Sequence, residues 1–129
     1  ATSNFGESTI IVNIEAKKIS EGKWEPYKFC GREKTNLEVN NWINEIQSKG
    51  CGEILLTSID KEGTETGFDI ELIESVEKII KKPLIASGGC GSLEHIEKLK
   101  IKFKNISVAV ASVLHYKTLK ISEIKKILA

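Results

Sequence analysis

Four short apolar runs constrain this chain more than any other feature: TIIVNI at residues 9–14, EILLT at 53–57, PLIAS at 83–87 and ISVAVA at 106–111. Their apolar residues are largely consecutive and not strictly alternating. Such strands are buried on both faces, which is the mark of a parallel sheet covered by helices. Helical patterns fall between them. Asn36 is placed as an N-cap before a stripe of Val39, Trp42, Ile43 and Ile46, with Gly50 as the stop. Asp69 caps a second stripe of Leu72, Ile73, Val76, Ile79 and Ile80, and Ser92 opens a third with Leu93, Ile96, Leu99 and Phe103. A fourth begins near Ser122 and carries Ile124, Ile127 and Leu128. The order βαβαβαβα predicts an α/β fold with right-handed crossovers. Residues 17–35 form a longer polar stretch. Within it, residues 24–29 are expected to pair as a short strand with the neighbourhood of Ile19 across Glu21-Gly22, and Pro26 confines that strand to an edge.

Length makes this pattern a problem. A four-stranded parallel sheet standing alone exposes two edges and, if curved, one bare face. A (βα)8 barrel takes ~250 residues, and 129 residues with four βα units predict a single domain over 1–129, a (βα)4 half of a TIM-type barrel with parallel strands. The chain has no methionine and starts at Ala1, so it is expected to be processed or excised from something longer, and not to be a monomer in isolation. Nineteen Lys and Arg against eighteen Asp and Glu give a net charge of +1, which argues against nucleic acid or an anionic membrane as partner. No apolar run approaches the ~20 residues of a membrane span, and the N-terminus lacks a signal-peptide pattern. Cys30, Cys51 and Cys90 are an odd number without C-x-x-C spacing. They predict neither a disulfide framework nor a zinc site, suit a reducing cytoplasm, and read as inert small residues.

Chemistry in barrels and open α/β sheets collects in the loops after the C-terminal strand ends. Those loops read Glu15-Ala16-Lys17-Lys18, then Ser58 to Thr64, then Ser87-Gly88-Gly89-Cys90-Gly91-Ser92, then Ala111 to His115. The third and fourth together predict a phosphate site, because glycines let backbone N–H groups approach an anion and the helix after Ser92 adds partial positive charge. The run is not GxGxxG and gives no support to a dinucleotide. Its alternative reading is a tight strand-to-helix turn. Glu15 and Glu62 follow their strands and are candidates to face each other as general acid and base, although each taken singly reads as a solvated charge. His95 reads as a surface residue, His115 as a packed or capping one, and neither joins a metal cluster.

These loops carry a resemblance. Gly52 to Thr64, Gly67-Phe68-Asp69, Ile85 to His95, Ala111 to Tyr116 and Asn4 to Ser8 closely resemble the C-terminal half of the cyclase subunit of imidazole glycerol phosphate synthase. The resemblance implies strands and helices five to eight of a (βα)8 barrel in the histidine biosynthesis pathway, with no cofactor. It implies ammonia delivered from a glutamine amidotransferase (glutaminase) partner to a bisphosphorylated substrate, which is cleaved and closed into imidazole glycerol phosphate and an aminoimidazole carboxamide ribotide. By matching position, Gly63, Gly89, Ala111 and Ser112 would bind one substrate phosphate, and Thr57 and Ser87 would line the pocket. Glu53 would belong to a charged ring where ammonia enters. Gly31 to Thr35 resembles a family loop near the active-site mouth. The expected location is cytoplasmic.

The departures from the family pattern are specific. Aspartate is expected where this chain has Glu15, the catalytic carboxylate after the fifth strand, and Asp-Gly-Thr is usual where it reads Glu62-Gly63-Thr64. A methylene moves a carboxylate by on the order of 1 Å, a displacement that can cost ~10²-fold in rate. The other catalytic aspartate, its lysine and the second phosphate site belong to the N-terminal half, so the half is expected to be inactive by itself. The other readings are a self-associating phosphate-binding half-barrel without catalysis, and a cyclase-like paralogue serving another amidotransferase.

Overall fold

A computed structural model describes residues 1–129. The elements, in order, are α1 (Thr2–Phe5), a 3-10 turn (Glu7–Thr9), β1 (Ile11–Ser20), β2 (Lys23–Lys28), β3 (Glu33–Lys34), α2 (Val39–Lys49), β4 (Glu53–Ser58), α3 (Ile70–Glu77), β5 (Leu84–Ser87), α4 (Leu93–Lys102), β6 (Ile106–Ala109), α5 (Ser112–His115) and α6 (Ile121–Leu128). One six-stranded sheet runs β3-β2-β1-β4-β5-β6. Its β1-β4-β5-β6 part is parallel, as the consecutive apolar runs predict, and β2 and β3 add antiparallel pairs at one side.

Strand residues on one face seal the core: Ile14, Ala16, Ile54, Leu56, Leu84 and Ala86 are buried, and they cluster with Val39, Ile43, Ile46, Leu72, Ile73, Val76, Ile96 and Leu99 from the helices. The intervening strand residues, Asn13, Glu15, Glu53, Leu55, Thr57, Ile85, Ser87 and Ser107, are half-buried or exposed. All the helices that cover the parallel strands therefore lie on one side, the arrangement that right-handed crossovers impose between adjacent parallel strands. In a closed barrel the other side would be the packed interior. Here it is an open face.

Several local readings change. β1 begins at Ile11, not Thr9, and continues to Ser20, so residues 15–18 are strand and not a loop. The parallel ladder with β4 ends at Ala16–Ser58, and β1 runs on because β2 pairs with it antiparallel from Glu15–Tyr27 to Ser20–Lys23. The turn falls at Glu21-Gly22 as expected. β2 is not an edge strand, since β3 pairs with Tyr27 and Lys28, but that ladder starts one residue past Pro26 and asks no N–H of it. Asn36 does not cap α2. It takes a left-handed φ of 58° and donates its N–H to the buried Glu25 carboxylate, while Glu38 occupies the cap position. Asp69 and Ser92 do cap α3 and α4, accepting from the Leu72 and His95 N–H groups. The last strand stops at Ala109, and α5 occupies what reads in sequence as loop. No helix is long and apolar enough to cross a membrane.

Candidate functional site

Registration of the parallel strands decides what the open face presents. Glu15 pairs with Thr57, Thr57 with Ser87 and Ser87 with Ala109, so these four residues form one row across the C-terminal edge of the sheet. Asn13, Leu55, Ile85 and Ser107 form the row beneath. Rows of this kind are the layers that fill a barrel. The Asn13 side chain reaches up to Thr57 Oγ1, 3.4 Å away. Glu15 Oε2 accepts a 2.9 Å hydrogen bond from the Gly31 N–H, which ties the β2–β3 turn to the row.

Beyond the end of the row, the loops after β4, β5 and β6 enclose a cavity of about 100 Å³ lined by residues that include Glu62, Gly63, Ser87, Gly89, Ala111 and Ser112. That volume is below the ~300 Å³ at which pockets begin to enclose whole drug-sized ligands, and it suits one small group. The backbone N–H groups of Gly63, Gly88, Gly89, Ala111 and Ser112 have no acceptor within the chain. Free backbone N–H groups on the lining of a concavity can hold an anion where they point into it. Glu62 and Glu65 line the same cavity, and Glu62 Oε2 lies 3.4 Å from where a Cβ on Gly88 would stand.

The glycines serve packing as well as access. Gly88 and Gly89 have φ of +96° and +90°. A Cβ on Gly89 would lie 2.1 Å from the Gly67 carbonyl oxygen, and one on Gly88 would lie 2.8 Å from that of Ser58. Gly67 donates its N–H to the Gly89 carbonyl at 2.7 Å, so the two loops are joined back to back. The tight-turn reading and the phosphate reading are compatible, because close docking of one side leaves the other side's N–H groups free.

Of the nine candidate residues, six line the cavity and two, Glu15 and Thr57, share the row that leads to it. Glu15 lies within β1 beside the hairpin and not in a loop, and Glu62 lies in the loop after β4, the neighbouring strand. Glu53 lies at the opposite end of β4, four residues and about 13 Å from Thr57 at ~3.3 Å per strand residue.

Sequence reasoning missed several parts. His95 is not a bystander on the helix surface: its Nδ1 accepts the Gly91 N–H at 3.1 Å, and its ring lies against Gly67, bracing the glycine loop. His115 is exposed and stacks edge-on with Tyr116, and it neither packs nor caps. Ser58 donates its hydroxyl to the Asp69 carboxylate at 2.7 Å, fixing the loop after β4 to the start of α3. Glu65, Cys90 and Val110 also line the cavity. The Cys90 and Cys51 thiols are pushed above their ordinary values by burial, which disfavours the thiolate. Cys30 is exposed. No group of three or more His, Cys, Asp or Glu side chains gathers to hold a metal ion.

Comparison with known proteins follows the same lines. The family described as "Histidine biosynthesis protein" matches residues 1–120. The chain is 41% identical over 122 residues to the imidazole glycerol phosphate synthase subunit HisF of Streptococcus gordonii (strain Challis) and 40% identical over 122 residues to that of Streptococcus sanguinis (strain SK36). Each match covers 95% of this chain and 48% of the relative, so the chain spans about half the length of the curated relatives it matches.

Proposed function

The chain belongs to the histidine biosynthesis protein family, and on that premise we propose that it is the C-terminal half of an ammonia-dependent imidazole glycerol phosphate synthase cyclase. The observation that carries this reading is the cavity of unpaired N–H groups between the loops after the last parallel strands. Barrels commonly bind phosphate between the loops after strands seven and eight. β5 and β6 then correspond to those strands, and β1 and β4 to the fifth and sixth.

In this reading the cavity takes one phosphate of a bisphosphorylated aminoimidazole carboxamide ribotide through Gly63, Gly89, Ala111 and Ser112. The substrate then lies across the open face, over Ser87 and Thr57 toward Glu15. With Oε2 of Glu15 held by Gly31, its other carboxylate oxygen is the one that exchanges a proton with the substrate. Glu62, at the cavity rim, is the second carboxylate of the set. Glu53 lies at the far end, where ammonia from a glutaminase partner enters. No cofactor or metal is needed. The missing N-terminal half supplies the opposite wall, the second phosphate site and the remaining acid–base groups, and closes the face that is open here.

The test is complementation. Mixed with the N-terminal half of the Streptococcus gordonii relative, the chain should form imidazole glycerol phosphate from substrate and ammonia, and neither half should do so singly. Turnover by the 129-residue chain alone would sink the proposal.

A second reading, a self-paired half-barrel that binds phosphate without catalysis, is favoured by the outer edge of β6, which no strand of this chain covers. It requires a stable homodimer by sedimentation and a melting temperature that rises with millimolar phosphate. Gly89→Asp should abolish that rise.

A further inference from the structure

Phe29, Cys30 and Gly31 take left-handed backbone in succession, with φ of 52°, 57° and 76°. For Phe and Cys that conformation is disfavoured, and it persists only where the surroundings enforce it. Burial does not enforce it, because Phe29 is 70% exposed and Cys30 is exposed as well. Within the turn one backbone bond, Arg32 N–H to the Lys28 carbonyl at 3.0 Å, closes the loop. Two contacts fasten it to the rest of the molecule. The Gly31 N–H donates to Glu15 Oε2 at 2.9 Å, and the Ile59 side chain lies so close to Gly31 that a Cβ there would meet its Cδ1 at 3.3 Å.

We propose that this turn is a positioning element for Glu15: the Gly31 N–H fixes one oxygen of the carboxylate, and the left-handed triplet exists to bring that N–H to it. The role as a positioning residue rests on the reading of Glu15 as the reacting carboxylate. It gives the Glu for Asp departure a physical reason. Aspartate is shorter by one carbon–carbon bond, about 1.5 Å, and cannot span to the same amide while the turn holds its place. Glu15 and the turn are a matched pair, and the glutamate is not a worn-down aspartate.

Two measurements decide this. By NMR on the 129-residue chain, exchange of the Gly31 amide should be at least tenfold slower than that of an unbonded amide. Glu15→Ala and Glu15→Asp should abolish that protection, while Glu15→Gln, which keeps a carbonyl acceptor at the same reach, should retain it. An unprotected Gly31 amide in the parent chain, or protection that survives Glu15→Ala, would overturn the proposal. In the barrel completed by an N-terminal half, Glu15→Asp should lower kcat at least tenfold with little change in KM. A gain in kcat on Glu15→Asp would instead mark a weakened ancestral site and overturn the matched pair. If no form of the completed barrel turns over, the cyclase reading fails, and the Gly31 exchange still decides the hydrogen bond.

Discussion

The two faces of the sheet differ more than any two regions of this molecule. One face carries Ile14, Ala16, Ile54, Leu56, Leu84 and Ala86, none more than 6% exposed, pressed against α2, α3 and α4. The other, on the same strands and one residue out of phase, carries Asn13, Glu15, Glu53, Leu55, Thr57, Ile85 and Ser87, none fully buried. Buried apolar side chains are concentrated on the first face and most polar strand side chains on the second. The helix side is packed within this chain, and the open side is largely polar, with Leu55 and Ile85 the apolar residues of its middle row.

The sharpest way to break this comparison is truncation on each face. Leu56→Ala should lower stability by about 2–5 kcal/mol, the cost of a cavity in a packed core. Leu55→Ala, on the neighbouring residue, should cost under ~1 kcal/mol by urea denaturation of the chain alone. Equal losses would mean that the open face is covered in solution. Gly89→Ala tests the point where the open side's cavity depends on packing. It places a side chain at φ +90° and against the Gly67 carbonyl, so a loss of about 1–3 kcal/mol from backbone strain is expected, together with loss of any phosphate-induced rise in melting temperature. Asp69→Ala removes the α3 cap and the acceptor for Ser58, and should cost about 0.5–2 kcal/mol, with Asp69→Asn recovering part of it.

Smaller effects separate buried from exposed groups. Iodoacetamide at pH 8 should modify Cys30 and spare Cys51 and Cys90, whose thiols burial holds above their ordinary values. Rapid modification of Cys90 would mean that the glycine loop opens. Smallest is the ion pair of Lys18 and Glu71 at the rim, both exposed. The hydrogen bond and charge of Lys18 hold the Glu71 carboxyl below its ordinary value. The stability it contributes is therefore present above that ordinary value and lost as pH falls through the lowered one. Acid unfolding of Lys18→Ala should differ from the parent only slightly, and in 1 M salt, where the Debye length is ~3 Å, not at all.

Much of the fold was legible in the sequence because local chemistry wrote it there. Consecutive apolar runs identified the four parallel strands. Asp69 and Ser92 marked their helices because a side-chain oxygen must satisfy a free N–H at a helix start, and Gly50 ended α2 because φ 85° suits glycine. Asn36 misled for a reason equally physical: the same side chain that favours a cap also tolerates left-handed backbone, and the buried Glu25 carboxylate claimed its N–H. The length of β1 was hidden because its second half is held by β2 and has no apolar run of its own.

The site was legible in outline. The glycine loop and Ala111-Ser112 were placed together from motif order, and the cavity unites them. His95 escaped because its partner is a backbone N–H, which leaves no trace in residue type. The placing of Glu15 in a loop failed because apolar runs do not give strand ends or register: Glu15 lies in a strand, level with Thr57.

The sequence by itself determined the α/β class, the four βα units and the membership of this chain in its family, since hydrophobic periodicity, capping and ordered motifs are local properties. Tertiary structure alone decided which strand residues share a row, that Gly67 and Gly89 must touch, and that the Gly31 amide reaches Glu15. Those are contacts between segments distant in the chain. They depend on strand register, and a shift of one residue would turn Glu15 from the open face into the core.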